Sequence, residues 1–210
     1  MPAEYKSIKK SSTYELIEKK SRFIADSGIV CNESEARNFI NEIKNSYREA
    51  SHHTYAYVIG KDVPAARYSD DGEPHGTAGL PILDVIQGNG LTDTIVVVTR
   101  YFGGTKLGTG GLVRAYSKSA SECIALSGIT RHIPGVIMDI STDYHNLGKI
   151  KNYLEKTKLE IMDEQYTDHV IIRTLVSKDE ADSLKIKIKD LTNSTAEILI
   201  AGEGYIEAEV

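Results

Sequence analysis

The residues best suited to chemistry lie between Tyr68 and Tyr116, in two loops rich in glycine and charge. The first loop, residues 68–79, reads Tyr-Ser-Asp-Asp-Gly-Glu-Pro-His-Gly-Thr-Ala-Gly and holds three carboxylates and an imidazole within six residues. These groups bind divalent cations and act as general acids and bases. The candidate residues are Ser69, Asp70, Asp71, Gly72, Glu73 and Thr77.

The same loop has a simpler structural interpretation. Asp70 and Asp71 can accept hydrogen bonds from nearby backbone N–H groups, and Gly72 can adopt a positive φ. The spacing of the acidic and imidazole groups matches neither an EF-hand loop nor an HExxH helix. We therefore favour a structured loop, and the question of a metal stays open at this point.

The second loop is a candidate anion site. Residues 100–114 read Arg-Tyr-Phe-Gly-Gly-Thr-Lys-Leu-Gly-Thr-Gly-Gly-Leu-Val-Arg, after a predicted strand and before a predicted helix. Backbone N–H groups in that position can hold a phosphate. The candidate residues are Arg100, Gly103, Gly104, Lys106, Gly108, Gly110, Gly111 and Arg114.

No established phosphate-binding motif is complete in the second loop. The Walker A pattern fails because Thr109 and Gly110 follow Gly108, and GxGxxG fails because residue 113 is Val. The alternative is that the glycines serve backbone geometry and close packing alone.

Composition narrows the class of protein. The 210 residues are 40% hydrophobic and 26% charged, which is typical of a globular chain. No apolar run approaches the roughly 18 residues of a membrane span, and no secretory leader is visible, so we expect a cytoplasmic protein that does not enter a membrane. Two cysteines, at 31 and 123, do not make a disulfide framework.

Charge is unevenly distributed along the chain. The formal net charge is -5, which argues against a general binder of polyanions. Residues 134–210 hold 9 basic and 15 acidic residues, whereas residues 1–133 hold 16 and 15. If part of the chain meets an anionic partner, it is the first part.

Periodicity predicts the elements that position the two loops. Two strands within residues 12–31, joined by a turn near Lys20–Ser21, precede a helix that Asn32 caps. The remaining elements of the first part are a strand at Thr54–Ile59, a loop over 60–79, a helix at Leu80–Gln87, a strand at Thr94–Phe102 and a helix at Leu112–Leu126.

A second domain is predicted beyond Pro134 and Gly135. The predicted elements there follow a β-α-β-β-α-β order within about 75 residues, which is typical of a ferredoxin-like split βαβ unit. They are a strand at Val136–Thr142, a helix at Asn146–Lys156, strands around Leu159–Gln165 and Val170–Ser177, a helix at Lys178–Leu191 and a strand at Ala196–Ile200. The predicted domains are residues 1–133 and 134–210, and the predicted class is α+β.

Four segments together resemble the IMPACT/YigZ family. They are YSDDGEPHGTAGLPIL, VVVTRYFGGTKLGTGGLVRAY, Lys20 to Ile24 (KSRFI) and Ser51 to Tyr57 (SHHTYAY). The resemblance extends over essentially the whole chain and adds His52 to the residues of the first loop. His75 and Thr105 depart from the residues usual in the family.

The resemblance implies a first domain like domain 2 of ribosomal protein S5. It implies a ferredoxin-like second domain resembling the last domain of elongation factor G. Both folds occur in the translation machinery. Eukaryotic relatives regulate translation by binding the activator of an eIF2-alpha kinase, through an additional domain that is not part of this sequence.

Two functions follow as hypotheses. The favoured one is a non-enzymatic translation regulator that binds the ribosome, RNA or a translation factor, with no cofactor and with its oligomeric state undetermined. The alternative is an enzyme acting on a phosphorylated small molecule, with phosphate at the glycine-rich loop and a metal held by Asp70, Asp71 or Glu73. The first is preferred because no complete catalytic site is visible.

Overall fold

The computed structural model describes residues 4–61 and 63–209. Asp62, which belongs to the predicted loop 60–79, lies outside the described residues, as do the ends of the two predicted domains at residues 1–3 and 210. The architecture is α+β, with two compact units that each contain both helices and strands. One unit runs to Arg131 and includes Glu209, and the other comprises His132–Ala208. None of the described helices has the length and apolarity to cross a bilayer.

The first unit is built on a five-stranded antiparallel sheet. Its strands, in spatial order, are β2 (Ser12–Glu18), β3 (Ser21–Ile29), β6 (Thr94–Tyr101), β4 (His52–Ile59) and β5 (Ala65–Ser69). A short strand, β1 (Tyr5–Ile8), precedes β2. The predicted turn between β2 and β3 is confirmed, and Lys19 and Lys20 make it with positive φ.

Helices cover both faces of this sheet. On one face, α2 (Gly79–Gly88) and α3 (Thr109–Ser127) pack against Phe23, Val96 and Val98. On the other face, α1 (Glu33–Ser46) packs against Ile95 and Val97. Successive residues of β6 point to opposite faces, and both faces are covered, so the strand is a continuous apolar run.

The second unit has the predicted β-α-β-β-α-β order. It consists of most of β7 (Ile129–Thr142), α4 (Tyr144–Lys156), β8 (Ile161–Tyr166), β9 (Val170–Ser177), α5 (Lys178–Leu191) and most of β10 (Glu197–Glu209). The strands lie in the order β8-β9-β7-β10. Its core contains Met138, Ile140, Ile150, Ile172 and Ile188.

Several predicted boundaries differ from the observed ones. Residues 65–69, predicted as loop, form the edge strand β5, which is mostly exposed and therefore lacks a buried apolar pattern. Helix α3 begins at Thr109, three residues before the predicted start. Strand β7 passes through Pro134 and Gly135, which were predicted to precede it. Glycine at 135 permits the close approach of β9, since an added Cβ would lie 2.7 Å from the Val176 carbonyl oxygen. Strand β10 extends nine residues beyond the predicted end at 200.

Candidate functional site

Asp70 caps the helix that follows the first loop. Its carboxylate accepts hydrogen bonds from the backbone N–H groups of Gly76 (2.8 Å), Ala78 (3.1 Å) and Gly79 (2.9 Å). The last two groups lie at the start of α2, whose own N-cap, Ala78, has no side chain that can accept. A carboxylate is stabilised there by the N–H groups and by the helix dipole.

Asp71 and Gly72 fasten the loop to the beginning of β4. The Asp71 carboxylate accepts from the His53 backbone N–H at 2.6 Å, and the Asp71 carbonyl lies 2.8 Å from His52 Nδ1. The Ser69 hydroxyl accepts from the Asp71 N–H at 3.2 Å. Gly72 has φ +87°, as the sequence predicted. His52 and Ser69 therefore hold the loop in place.

Glu73 lies at the centre of a buried polar network. Its Oε1 accepts from Arg100 Nη1 at 2.6 Å and from the Tyr116 hydroxyl at 2.7 Å. The Glu73 and Arg100 side chains are only 4% and 6% exposed. Burial, and then the negative charge of Glu73, raise the pKa of Tyr116, so its hydroxyl remains a donor. Arg100 also donates to Ser21 Oγ at 3.3 Å.

The remaining features of the first loop are structural. Thr77 Oγ1 donates to the Pro74 carbonyl at 2.7 Å and closes a turn. His75, one of the two departures from the family pattern, is 95% exposed and lies 3.8 Å from Asp70. Within residues 4–61 and 63–209, no three His, Cys, Asp or Glu side chains are grouped to hold a metal ion.

The glycines of the second loop have different roles. A Cβ on Gly103 would lie 2.0 Å from the Lys20 carbonyl carbon, so Gly103 is required for packing against the β2–β3 turn. Gly104 and Gly108 have φ of +80° and +75°, and a Cβ on either would face open space. Gly108 is the N-cap of α3, and its carbonyl accepts from the Leu112 N–H at 3.0 Å.

The two loops meet at a cavity of about 360 Å³, which we call the glycine-loop cavity. The first loop contributes Glu73 and Pro74. The second contributes Arg100, Phe102 and residues 106–109, and Leu112 of α3 completes the wall. The structure thus brings together Glu73, Arg100, Lys106 and Gly108 from the predicted site.

Arg114 lies in a second cavity of about 230 Å³, which we call the basic groove. Its other charged lining residues are Glu18, Lys19 and Lys118, and Gly111 also lines it. Leu107 lines both cavities, so they are adjacent. Gly110 is close to the same groove, because a Cβ there would lie 3.8 Å from Arg114 Nη1.

Sequence reasoning did not find Phe102, Lys19 or Lys118. The four-residue spacing of Arg114 and Lys118 on a predicted helix was a usable signal, because such residues share one face. Lys19 comes from a distant turn, and nothing local marks it. Phe102 is 51% exposed, and its place beside the cavity becomes visible only in the structure.

Two family models match the chain. The Impact N-terminal domain matches residues 19–124, which include both loops, and a domain of unknown function, DUF1949, matches residues 140–195. The glycine-loop cavity lies entirely within the first match.

Relatives match over most of their length. The IMPACT family member YvyE of Bacillus subtilis is 40% identical over 206 residues, covering 98% of this chain and 95% of the relative. The IMPACT family member YigZ of Escherichia coli is 32% identical over 187 residues, with 88% and 92% covered. A solved structure titled as a hypothetical protein is 30% identical with a TM-score of 0.62, and the match covers 95% of this chain and 98% of the other.

Proposed function

The chain belongs to the IMPACT family, and we propose that it is a non-enzymatic, translation-related regulator that binds the ribosome, RNA or a translation factor. In this proposal the anionic backbone of RNA is held at the glycine-loop cavity and the basic groove. Its location is the cytoplasm, where free thiols such as Cys31 and Cys123 stay reduced.

The fold assignments belong to the same proposal. We assign the first unit to the class of ribosomal protein S5 domain 2 on the sequence resemblance. We assign the second unit to the ferredoxin-like class, like the last domain of elongation factor G. The order β8-β9-β7-β10, with a helix between β7 and β8 and another between β9 and β10, supports the second assignment.

The observation that carries the proposal is uncompensated positive charge beside the two cavities. Lys106, Arg114 and Lys118 are exposed, and none of them is a member of the ion pairs found among the described residues. The start of α3 adds partial positive charge from its backbone N–H groups. The surface is locally basic although the chain is acidic.

The first loop supports binding over catalysis. The carboxylates of Asp70 and Asp71 accept backbone N–H groups, and that of Glu73 is paired with Arg100. Carboxylates engaged in this way stabilise the loop, and a metal ion or a proton transfer would compete with these partners for the carboxylate oxygens. The loop therefore supports the wall of the cavity.

The test compares binding of ribosomes and of ribosomal RNA by wild type and by the Lys106→Ala/Arg114→Ala variant. We expect the variant to lose about tenfold in affinity at roughly 100 mM salt. The slope of its log affinity against log salt concentration should fall by the amount that corresponds to about two lost phosphate contacts. Lys187→Ala/Lys189→Ala removes the same charge from exposed positions of α5 and serves as the matched control. Equal binding by all three proteins would refute the proposal.

A further inference from the structure

Part of the lining of the glycine-loop cavity is apolar. Pro74, Phe102, Leu107 and Leu112 line it, and Phe102 leaves 51% of its surface exposed. An exposed aromatic ring beside a cavity is a stacking surface for a nucleobase, which has a π-face whatever its identity. A volume of about 360 Å³ is near the lower limit of small-ligand sites and admits one nucleotide-sized group.

The same cavity also offers hydrogen-bond donors and positive charge. Gly108 and Thr109 place the start of α3 there, and the first N–H groups of a helix have no acceptor within it. Lys106 is exposed at the same cavity. Arg100, which is 5% exposed and paired with Glu73, also lines it, and its buried Nε has no hydrogen-bond partner. The N–H groups of α3 and the Lys106 ammonium suit a phosphate.

The basic groove extends this positive surface beyond one phosphate. Leu107 borders both cavities, and the groove sets Lys19, Arg114 and Lys118 against the single carboxylate of Glu18. A free nucleotide would occupy only the glycine-loop cavity. A polynucleotide strand would use both surfaces.

We propose that the glycine-loop cavity holds one unpaired nucleotide of an RNA strand, and this inference rests on the proposed function. The base stacks on Phe102, and its phosphate lies at the start of α3 near Lys106. Neighbouring phosphates follow the basic groove along Arg114 and Lys118. A base within a duplex has both faces covered by stacked neighbours, so the site selects single strands over duplexes.

The test measures binding of a fluorescent ten-nucleotide single-stranded RNA, with a blunt RNA duplex and adenosine monophosphate as competitors. The wild type should bind the single strand at least about tenfold more tightly than either competitor. Phe102→Leu keeps an apolar side chain but removes the π-face, and should weaken single-strand binding about tenfold. Phe102→Tyr keeps the ring and should bind within about twofold of wild type.

The outcomes separate this inference from the proposed function. If Lys106→Ala/Arg114→Ala loses RNA binding while Phe102→Leu binds as wild type, the RNA-binding function stands and the stacking site is refuted. Adenosine monophosphate binding as tightly as the strand would also refute it, because the site would then serve a free nucleotide. Thermal unfolding of both Phe102 variants shows whether each remains folded, and an effect confined to Phe102→Leu supports the inference.

Discussion

Glu73 and Arg100 form the buried ion pair beneath the glycine-loop cavity. The two residues are 27 positions apart, and the second donor to Glu73, Tyr116, is 43 positions away. The guanidinium also lies 5.3 Å from the ring centre of Phe23 and 5.5 Å from that of Phe102. This pair therefore links the first loop and β6, Tyr116 adds α3, and the guanidinium lies close to the aromatic ring at the cavity.

Removing one charge of the pair should be costly. Glu73→Gln leaves the buried Arg100 uncompensated and should lower the free energy of unfolding by about 3 kcal/mol, measured by urea denaturation. Glu33→Gln removes exposed ion pairs with Arg67 and Arg37 and should leave the free energy of unfolding close to that of wild type.

A double variant tests the cause of that loss. Glu73→Gln/Arg100→Met removes both charges, so it should be more stable than Glu73→Gln alone. If the double variant is the less stable of the two, packing and not charge compensation explains the effect of Glu73→Gln.

Sequence reasoning found the residue types of the site but not their partners. The turn at Gly72 and the capping role open to Asp70 follow from local chemistry, because an acidic residue with nearby backbone N–H groups forms such bonds with few alternatives. The pairing of Glu73 with Arg100 depends on β6 lying beside the first loop. That contact is part of the tertiary structure, and no pattern in the local sequence predicts it.

Among the elements, those with a clear apolar period could be predicted closely. Helix α5 and strand β9 have the predicted bounds, because one face of each is buried in a regular pattern. Strand β5 could not be predicted, since it is an exposed edge strand without a buried apolar pattern, and it forms by pairing with β4. The start of α3 was missed because glycine is a poor helix former, and its surroundings override that preference here.

The glycines of the second loop should respond differently to alanine. Gly103→Ala places a Cβ against the Lys20 backbone and should cost about 3 kcal/mol or more. Gly104→Ala meets no atom but keeps a positive φ, so about 1 kcal/mol is expected. Gly110→Ala lies in the first turn of α3 and should be neutral or stabilising by up to about 1 kcal/mol.

Urea denaturation of the three variants measures this order. The order depends on the close approach of Gly103 to the β2–β3 turn, which is a property of the fold and not of any ligand. A Gly103→Ala protein as stable as wild type would show that the turn yields readily, and the loop would then be less fixed than the packing indicates.

At the scale of the whole molecule, the two units differ in charge, and each has its own hydrophobic core. The basic cavity surfaces lie in the first unit, and the excess of acidic residues lies in residues 134–210. Ile82 belongs to a core cluster formed only by residues of the first unit, and Ile150 to one formed only by residues of the second. The domain boundary between residues 133 and 134 stays a prediction. If it is right, the two cores should unfold independently of each other.

Calorimetry of matched core variants tests that independence. Ile82→Ala and Ile150→Ala make the same change at side chains with no exposed surface, one in each core. Each should cost about 2–5 kcal/mol. If the units unfold separately, the wild type shows two transitions, and each variant lowers the midpoint of one of them by roughly 10 °C. Ile186→Ala, at a side chain 64% exposed, should move neither. A single transition that both core variants lower together would show that the chain unfolds as one cooperative unit, because the loss of either core would then destabilise the whole.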